Sequence, residues 1–145
     1  PTTIERLGNY DTPGLVASVQ VRDKIAYIIV DAEQVDDGTT GMLILDVSNP
    51  TNPTLLGSYA APGEVSGLTL DGNNAFLATF YHGILVLDIS NPAQPTLIEQ
   101  VAVAGTPGAM QKVGDILHIA SSSAGYQRYR YNEPVYTTCL PLVRR

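Results

Sequence analysis

The sequence predicts an all-β fold assembled from repeated four-stranded antiparallel units. Three observations carry this prediction. Short apolar or alternating runs of strand length recur between Gly, Pro, Asn and Asp punctuation. No stretch shows helical periodicity with caps. The same residues return at a fixed offset: Asp46-Val-Ser-Asn-Pro50 and Asp88-Ile-Ser-Asn-Pro92 lie 42 residues apart, and a period near 40 is the mark of a repeat architecture.

The offset holds across the chain. It carries Gly41 to Gly83 to Gly125, Pro50 to Pro92 to Pro134, and Thr54 to Thr96 to Thr138. Upstream it becomes 49, so that Leu7-Gly-Asn-Tyr10 matches Leu56-Gly-Ser-Tyr59 and Pro13-Gly14 matches Pro62-Gly63. Seven extra residues fall between Asp31 and Gly41. The single segment 1–145 therefore divides into repeats 1–49, 50–91 and 92–133 and a partial repeat 134–145.

The middle repeat shows what each unit folds into. Val65 to Leu70 alternates and stops at the hairpin signal Asp71-Gly72. Ala75 to Thr79 is a short apolar strand, turned by Tyr81-His-Gly83. Ile84 to Leu87 is continuously apolar, as a strand buried on both faces should be. Asp88-Ile-Ser-Asn-Pro92 ends it, because Asp, Ser and Asn bond nearby backbone and proline cannot continue a ladder. Thr96 to Val101 is more polar, as an edge strand should be. Four strands in about 42 residues is the signature of a β-propeller blade, with the first strand on the axis and the fourth on the rim.

The pattern Gly41-Met-Leu-Ile-Leu-Asp-Val-Ser-Asn-Pro50 with Pro53-Thr-Leu55 resembles the LVIVD repeat family. So does Gly83-Ile-Leu-Val-Leu-Asp-Ile-Ser-Asn-Pro92 with Pro95-Thr-Leu97. The resemblance implies propeller-forming repeats and suggests an extracytoplasmic place: secreted, periplasmic or cell-surface. It implies no reaction and no catalytic residue.

Three blades make an open arc, since propellers close with roughly four to eight. Both end blades are expected to expose apolar faces, which mark interfaces. Arg6 to Tyr10 and Cys139 to Val143 read as rim strands, giving four rim strands for three sets of inner strands. The arc is thus part of a longer propeller, a piece that closes a ring with further copies, or a subunit capped by an unrelated protein partner.

Composition narrows the function classes. Hydrophobic residues make up 44% and charged residues 15% of the 145, a globular balance. The net charge of −6 argues against nucleic-acid binding. No apolar run reaches the length of a membrane-spanning helix. Cys139 is the one cysteine, in a slot where other repeats have Leu55 and Leu97, so no intrachain disulfide forms.

The candidate chemistry is sparse. His118 takes the aromatic slot held by Phe76, and His82 lies in a turn. Asp46 and Asp88 repeat at one blade position and read as turn caps rather than an acid–base pair. The insertion gathers Asp31, Glu33, Asp36 and Asp37, hard oxygen ligands compatible with calcium, although their spacing does not match a calcium loop and a solvated hairpin loop serves as well. No other cofactor is implied.

The third repeat departs most. Tyr126, Gln127, Arg128, Tyr129, Arg130 and Tyr131 stand where the middle repeat has Ile-Leu-Val-Leu-Asp-Ile. Tyr and Arg are enriched at protein interfaces, so this strand is the candidate partner interface; a strand with outward polar positions is the alternative. The expected function is non-enzymatic binding or scaffolding. The alternative is a fragment of a propeller enzyme whose catalytic groups lie in other blades or domains.

Overall fold

The computed structural model describes residues 2–31 and 41–132. The described residues contain no helix and form eleven strands in three antiparallel sheets. Blade 1 is β1 (Leu15–Arg22), β2 (Ile25–Asp31), β3 (Gly41–Asp46) and β4 (Thr54–Ala60), hydrogen-bonded in that order. Blade 2 repeats it with β5 (Val65–Asp71), β6 (Asn74–Thr79), β7 (Gly83–Asp88) and β8 (Thr96–Val101). Blade 3 has β9 (Pro107–Val113), β10 (Ile116–Ser121) and β11 (Gly125–Arg130). The fourth strand expected at Cys139 to Val143 lies outside the described residues.

The sheets run out of phase with the sequence repeats. Each repeat cut at Asn-Pro opens with the rim strand of the preceding blade, so β4 falls in the second repeat and β8 in the third.

The inner strand β5 touches both β1 and β9, which places the first strands side by side around the axis. Strand pleating then gives every blade two faces. We call the face toward the earlier blade leading and the face toward the later blade trailing.

Between blades 1 and 2, Tyr27, Ile29, Met42 and Ile44 of the trailing face meet Leu68, Leu77, Leu85 and Leu87 of the leading face. Between blades 2 and 3, Phe76, Ala78, Ile84 and Val86 meet Leu117, Ile119 and Tyr131. Both middle strands of blade 2 are therefore apolar at successive positions, because their alternate side chains enter two different cores.

Polar bonds tie the blades at the axis. Gln20 Nε2 donates to the Leu68 carbonyl at 2.7 Å, and Ser66 Oγ to the Pro107 carbonyl at 2.6 Å. Gly67 is required here, because a Cβ would collide with the Gly108 carbonyl oxygen of the next blade. Lys112, buried on the leading face of blade 3, pairs with Asp71 of blade 2 and donates to the Gly114 carbonyl at 2.7 Å.

The repeated aspartates cap turns. Ser48 N–H donates to Asp46 Oδ1 at 2.8 Å, and Ser90 N–H to Asp88 Oδ1 at 2.8 Å. Hydrogen bonds from the serine hydroxyl and then its N–H hold each carboxyl below the usual carboxylate range.

Two expectations are corrected. Residues 6–10 are not a strand: they lie outside every sheet, because no described strand runs beside them to pair their backbone. Their packing is nonetheless that of a rim strand. A Cβ on Gly8 would fall 2.6 Å from the Pro50 carbonyl oxygen, as one on Gly57 of β4 would strike that of Pro92. The second correction concerns blade 3, whose described trailing face is not uniformly apolar: Gln111, His118, Arg128 and Arg130 share it with Val113 and Ile116.

Candidate functional site

Strand alternation divides the tyrosine and arginine run of β11 between two environments. Tyr129 and Tyr131 turn to the leading face and pack into the core shared with blade 2. Tyr131 meets Phe76 edge-on, with ring centroids 5.0 Å apart. The Tyr129 hydroxyl donates to Gln127 Oε1 at 2.6 Å and accepts from the Ala104 N–H at 3.1 Å. Gln127 Nε2 closes the set on the Ala104 carbonyl at 2.9 Å. These residues bind the loop after β8 to blade 3; they are internal.

Tyr126, Arg128 and Arg130 point the other way, onto the trailing face. Cross-strand register places Gln111, His118 and Arg128 in one row over β9, β10 and β11. His118 Nδ1 lies 2.7 Å from the Tyr126 hydroxyl, with the two rings stacked at 6.0 Å. Arg130 pairs with Asp115 at 3.1 Å in solvent. Arg128 has no carboxylate partner among the described residues.

The repeat offset shows how this face was changed. Phe76, Ile84 and Val86 of blade 2 are buried at the positions where blade 3 has His118, Tyr126 and Arg128. Where blade 2 has an apolar junction surface, blade 3 carries polar and aromatic side chains among apolar ones such as Val113 and Ile116. A shallow groove of about 300 Å³ crosses it, walled by Ala109, Gln111, His118 and Tyr126.

A second cleft, of about 320 Å³, opens at the rim between blades 2 and 3, walled by Ile84, Val101, Val103, Leu117 and Tyr129. Val101 stands there where blade 1 has the larger Tyr59, which packs into its own junction.

The other residues singled out in the sequence do not gather. Asp31 ends β2 opposite Leu15, while Glu33, Asp36 and Asp37 lie outside the described residues, as does Cys139. No cluster of metal-ligating side chains occurs among the described residues. His82 sits in the β6–β7 turn, its N–H donating to Thr79 Oγ1 at 3.0 Å. Sequence reasoning missed Gln111, whose row with His118 and Arg128 needs the strand register.

Blades of this order and a twice-repeated Asp-Val/Ile-Ser-Asn-Pro turn define a β-propeller repeat protein. The LVIVD repeat model matches residues 13–61 and 62–103, more than half of the chain, in phase with blades 1 and 2. The chain belongs to the LVIVD repeat family. Among solved structures it is similar to the computationally designed Ika4 protein, at 17% identity and a TM-score of 0.60, covering 81% of this chain and 66% of Ika4. It is similar also to the computationally designed Ika8 protein, at 17% identity and a TM-score of 0.60, covering 79% of this chain and 33% of Ika8. At that identity the likeness is one of fold. No curated protein matches the chain.

Proposed function

We propose that the chain is a non-enzymatic binding or scaffolding module of a cell-surface or extracytoplasmic assembly, and that the trailing face of blade 3 receives its protein partner. The observation that supports this reading is the replacement on that face. A junction surface buried in blade 2 carries instead Tyr126 stacked on His118 beside Arg128. Tyrosine and arginine give large contact area and directional hydrogen bonds at interfaces. A guanidinium without an ion pair among the described residues favours a partner that brings a carboxylate. The sheet holds these groups in fixed register, so little order is lost on binding.

The test is site-specific photo-crosslinking in cells that make the protein. A crosslinker at position 126 is expected to give a discrete adduct, and one at the exposed position 51 is not. Arg128→Glu should abolish the adduct at 126. Equal labelling at both positions, or an adduct indifferent to Arg128→Glu, overturns the proposal. Protease treatment of intact cells tests the location: an extracytoplasmic module is cleaved, and full protection refutes it.

A further inference from the structure

We infer that Lys112 and Asp71 act as an address that seats blade 3 on blade 2, and that Arg22 of blade 1 supplies the repulsion that keeps blade 3 off the wrong blade. The trailing faces of blades 1 and 2 are both apolar. Tyr27, Ile29, Met42 and Ile44 form one, and Phe76, Ala78, Ile84 and Val86 the other. Apolar burial is favourable on either, and cores of similar volume accept one another at modest cost. Repeats that resemble each other are prone to misassembly and to exchange between copies. Choosing between two such faces takes an element that penalises the wrong one.

The first strands carry that element. The Lys112 side chain of β9 is only 5% exposed, and its ammonium meets Asp71 at the end of β5. Its nitrogen lies 5.9 Å from the centre of the Phe76 ring. The repeat offset shows what the other blades hold at these two positions. Where blade 3 has Lys112, blade 2 has Leu70 and blade 1 has Val21. Where blade 2 has Asp71, blade 1 has Arg22. Strand register agrees: Arg22 stands opposite Ile25 and Asp71 opposite Asn74, the same rung of each first hairpin. Blade 3 alone brings a cation to the junction, and blade 2 alone receives it with a carboxylate.

Seating blade 3 on blade 1 would bring the Lys112 ammonium to the Arg22 position, two cations at one closed junction. Asp23 lies 4.0 Å from Arg22, but its side chain is 90% exposed and turned to solvent. The aromatic ring does not discriminate, because Tyr27 holds the place of Phe76 on blade 1. The charges make the choice. Blade 2 brings Leu70 to the same place on blade 1, where it packs at the edge of the core with no charge to oppose Arg22. Leu70 shows that an apolar side chain serves at this position. A buried ion pair adds little stability over an apolar pair, so its use at the second junction answers to selection of the neighbour.

Refolding from urea at about 100 μM tests this, with the fraction of chain in assemblies heavier than the parent's read by size-exclusion chromatography and light scattering. Arg22→Asp gives blade 1 the address of blade 2. It should raise that fraction at least about threefold while the melting of the correctly folded chain stays within about 2 °C, since Arg22 makes only a solvated pair with Asp23. Asp71→Arg combined with Lys112→Asp keeps an ion pair at the junction but offers the new carboxylate two arginines. Misassembly should rise there too, and adding Arg22→Asp should return it to the parent level. An Arg22→Asp chain that assembles like the parent overturns the inference, as does a triple variant no more faithful than the double. A fall in melting above about 5 °C in Arg22→Asp makes Arg22 a purely structural residue and also refutes it. Should the charge-reversed chains not fold, Lys112→Leu decides with Arg22→Asp: both should misassemble while melting near the parent, and faithful assembly of both refutes the address.

Discussion

Gly57 and Gly8 occupy equivalent rim positions, yet their substitution by alanine should have different consequences. Gly57 lies in β4 opposite Ile44, so the ladder to β3 holds it in place. A Cβ there would strike the Pro92 carbonyl oxygen and fall 2.9 Å from Ala93 C and O, all backbone of the next blade. Its φ is not in the left-handed region, so the cost is steric rather than conformational. Overpacking of this kind costs about 1–3 kcal/mol. Alanine returns about 0.4–1 kcal/mol by restricting the unfolded chain. Because the clash is with backbone, the cost falls in the upper half of that range, and the net loss for Gly57→Ala is about 1–2.6 kcal/mol, or a fall in Tm of about 3–8 °C. Gly8 meets the Pro50 carbonyl at a similar distance, but residues 6–10 have no ladder and can lift away. Gly8→Ala should then move Tm by less than about 1 °C. Thermal unfolding followed by far-ultraviolet circular dichroism measures both. A Gly57→Ala protein as stable as the parent would refute the argument that blade spacing is set by this contact. A Gly8→Ala protein as weakened as Gly57→Ala would refute the unpaired state of the first rim segment.

Three further outcomes are expected. Asp71→Asn leaves the buried Lys112 ammonium without its counter-ion and should cost about 1–3 kcal/mol in urea unfolding, less than for a fully buried pair because Asp71 is partly solvated; Lys112→Met should cost less than Asp71→Asn. The Asp46 and Asp88 carboxyls are held below their ordinary 3.8, so the capped turns are fully formed above that value and loosen as pH falls through the lowered pKa. Amide chemical shifts of Ser48 and Ser90 should titrate below about pH 4, and the Ser90 titration should vanish in Asp88→Asn. The β1–β2 hairpin turns on Asp23 and Lys24 at φ 53° and 63°, a conformation that suits glycine. Lys24→Gly should raise Tm by about 1–3 °C, and a lower Tm would contradict that strain.

The candidate surface was partly legible in advance. The 42-residue offset marked Tyr126 to Tyr131 as the departure from the repeat. A period of two then splits the run into Tyr126, Arg128 and Arg130 against Tyr129 and Tyr131. Which set faces a neighbour depends on the side of the sheet that blade 2 occupies. Lone residues such as Val19 and Val21 look like core positions in any strand. Their exposure is read only from the tertiary structure.

The sequence by itself determined the blade. Apolar runs of strand length, Asp-Gly and Asp-x-Ser-Asn-Pro turns and a fixed period are local signals, and short antiparallel strands joined by tight turns pair with their nearest neighbours in the chain. The tertiary structure decided the fate of the ends. Residues 6–10 carry the same Leu-Gly-x-Tyr signature as β4, yet lie outside every sheet, because a strand exists only where another edge completes its hydrogen bonds. His118 and Arg128 share a face with Gln111 through the register of β9, β10 and β11, a grouping that no single segment of the sequence displays. Burial belongs to the junction between blades, and a junction is a property of two surfaces rather than of either sequence segment alone.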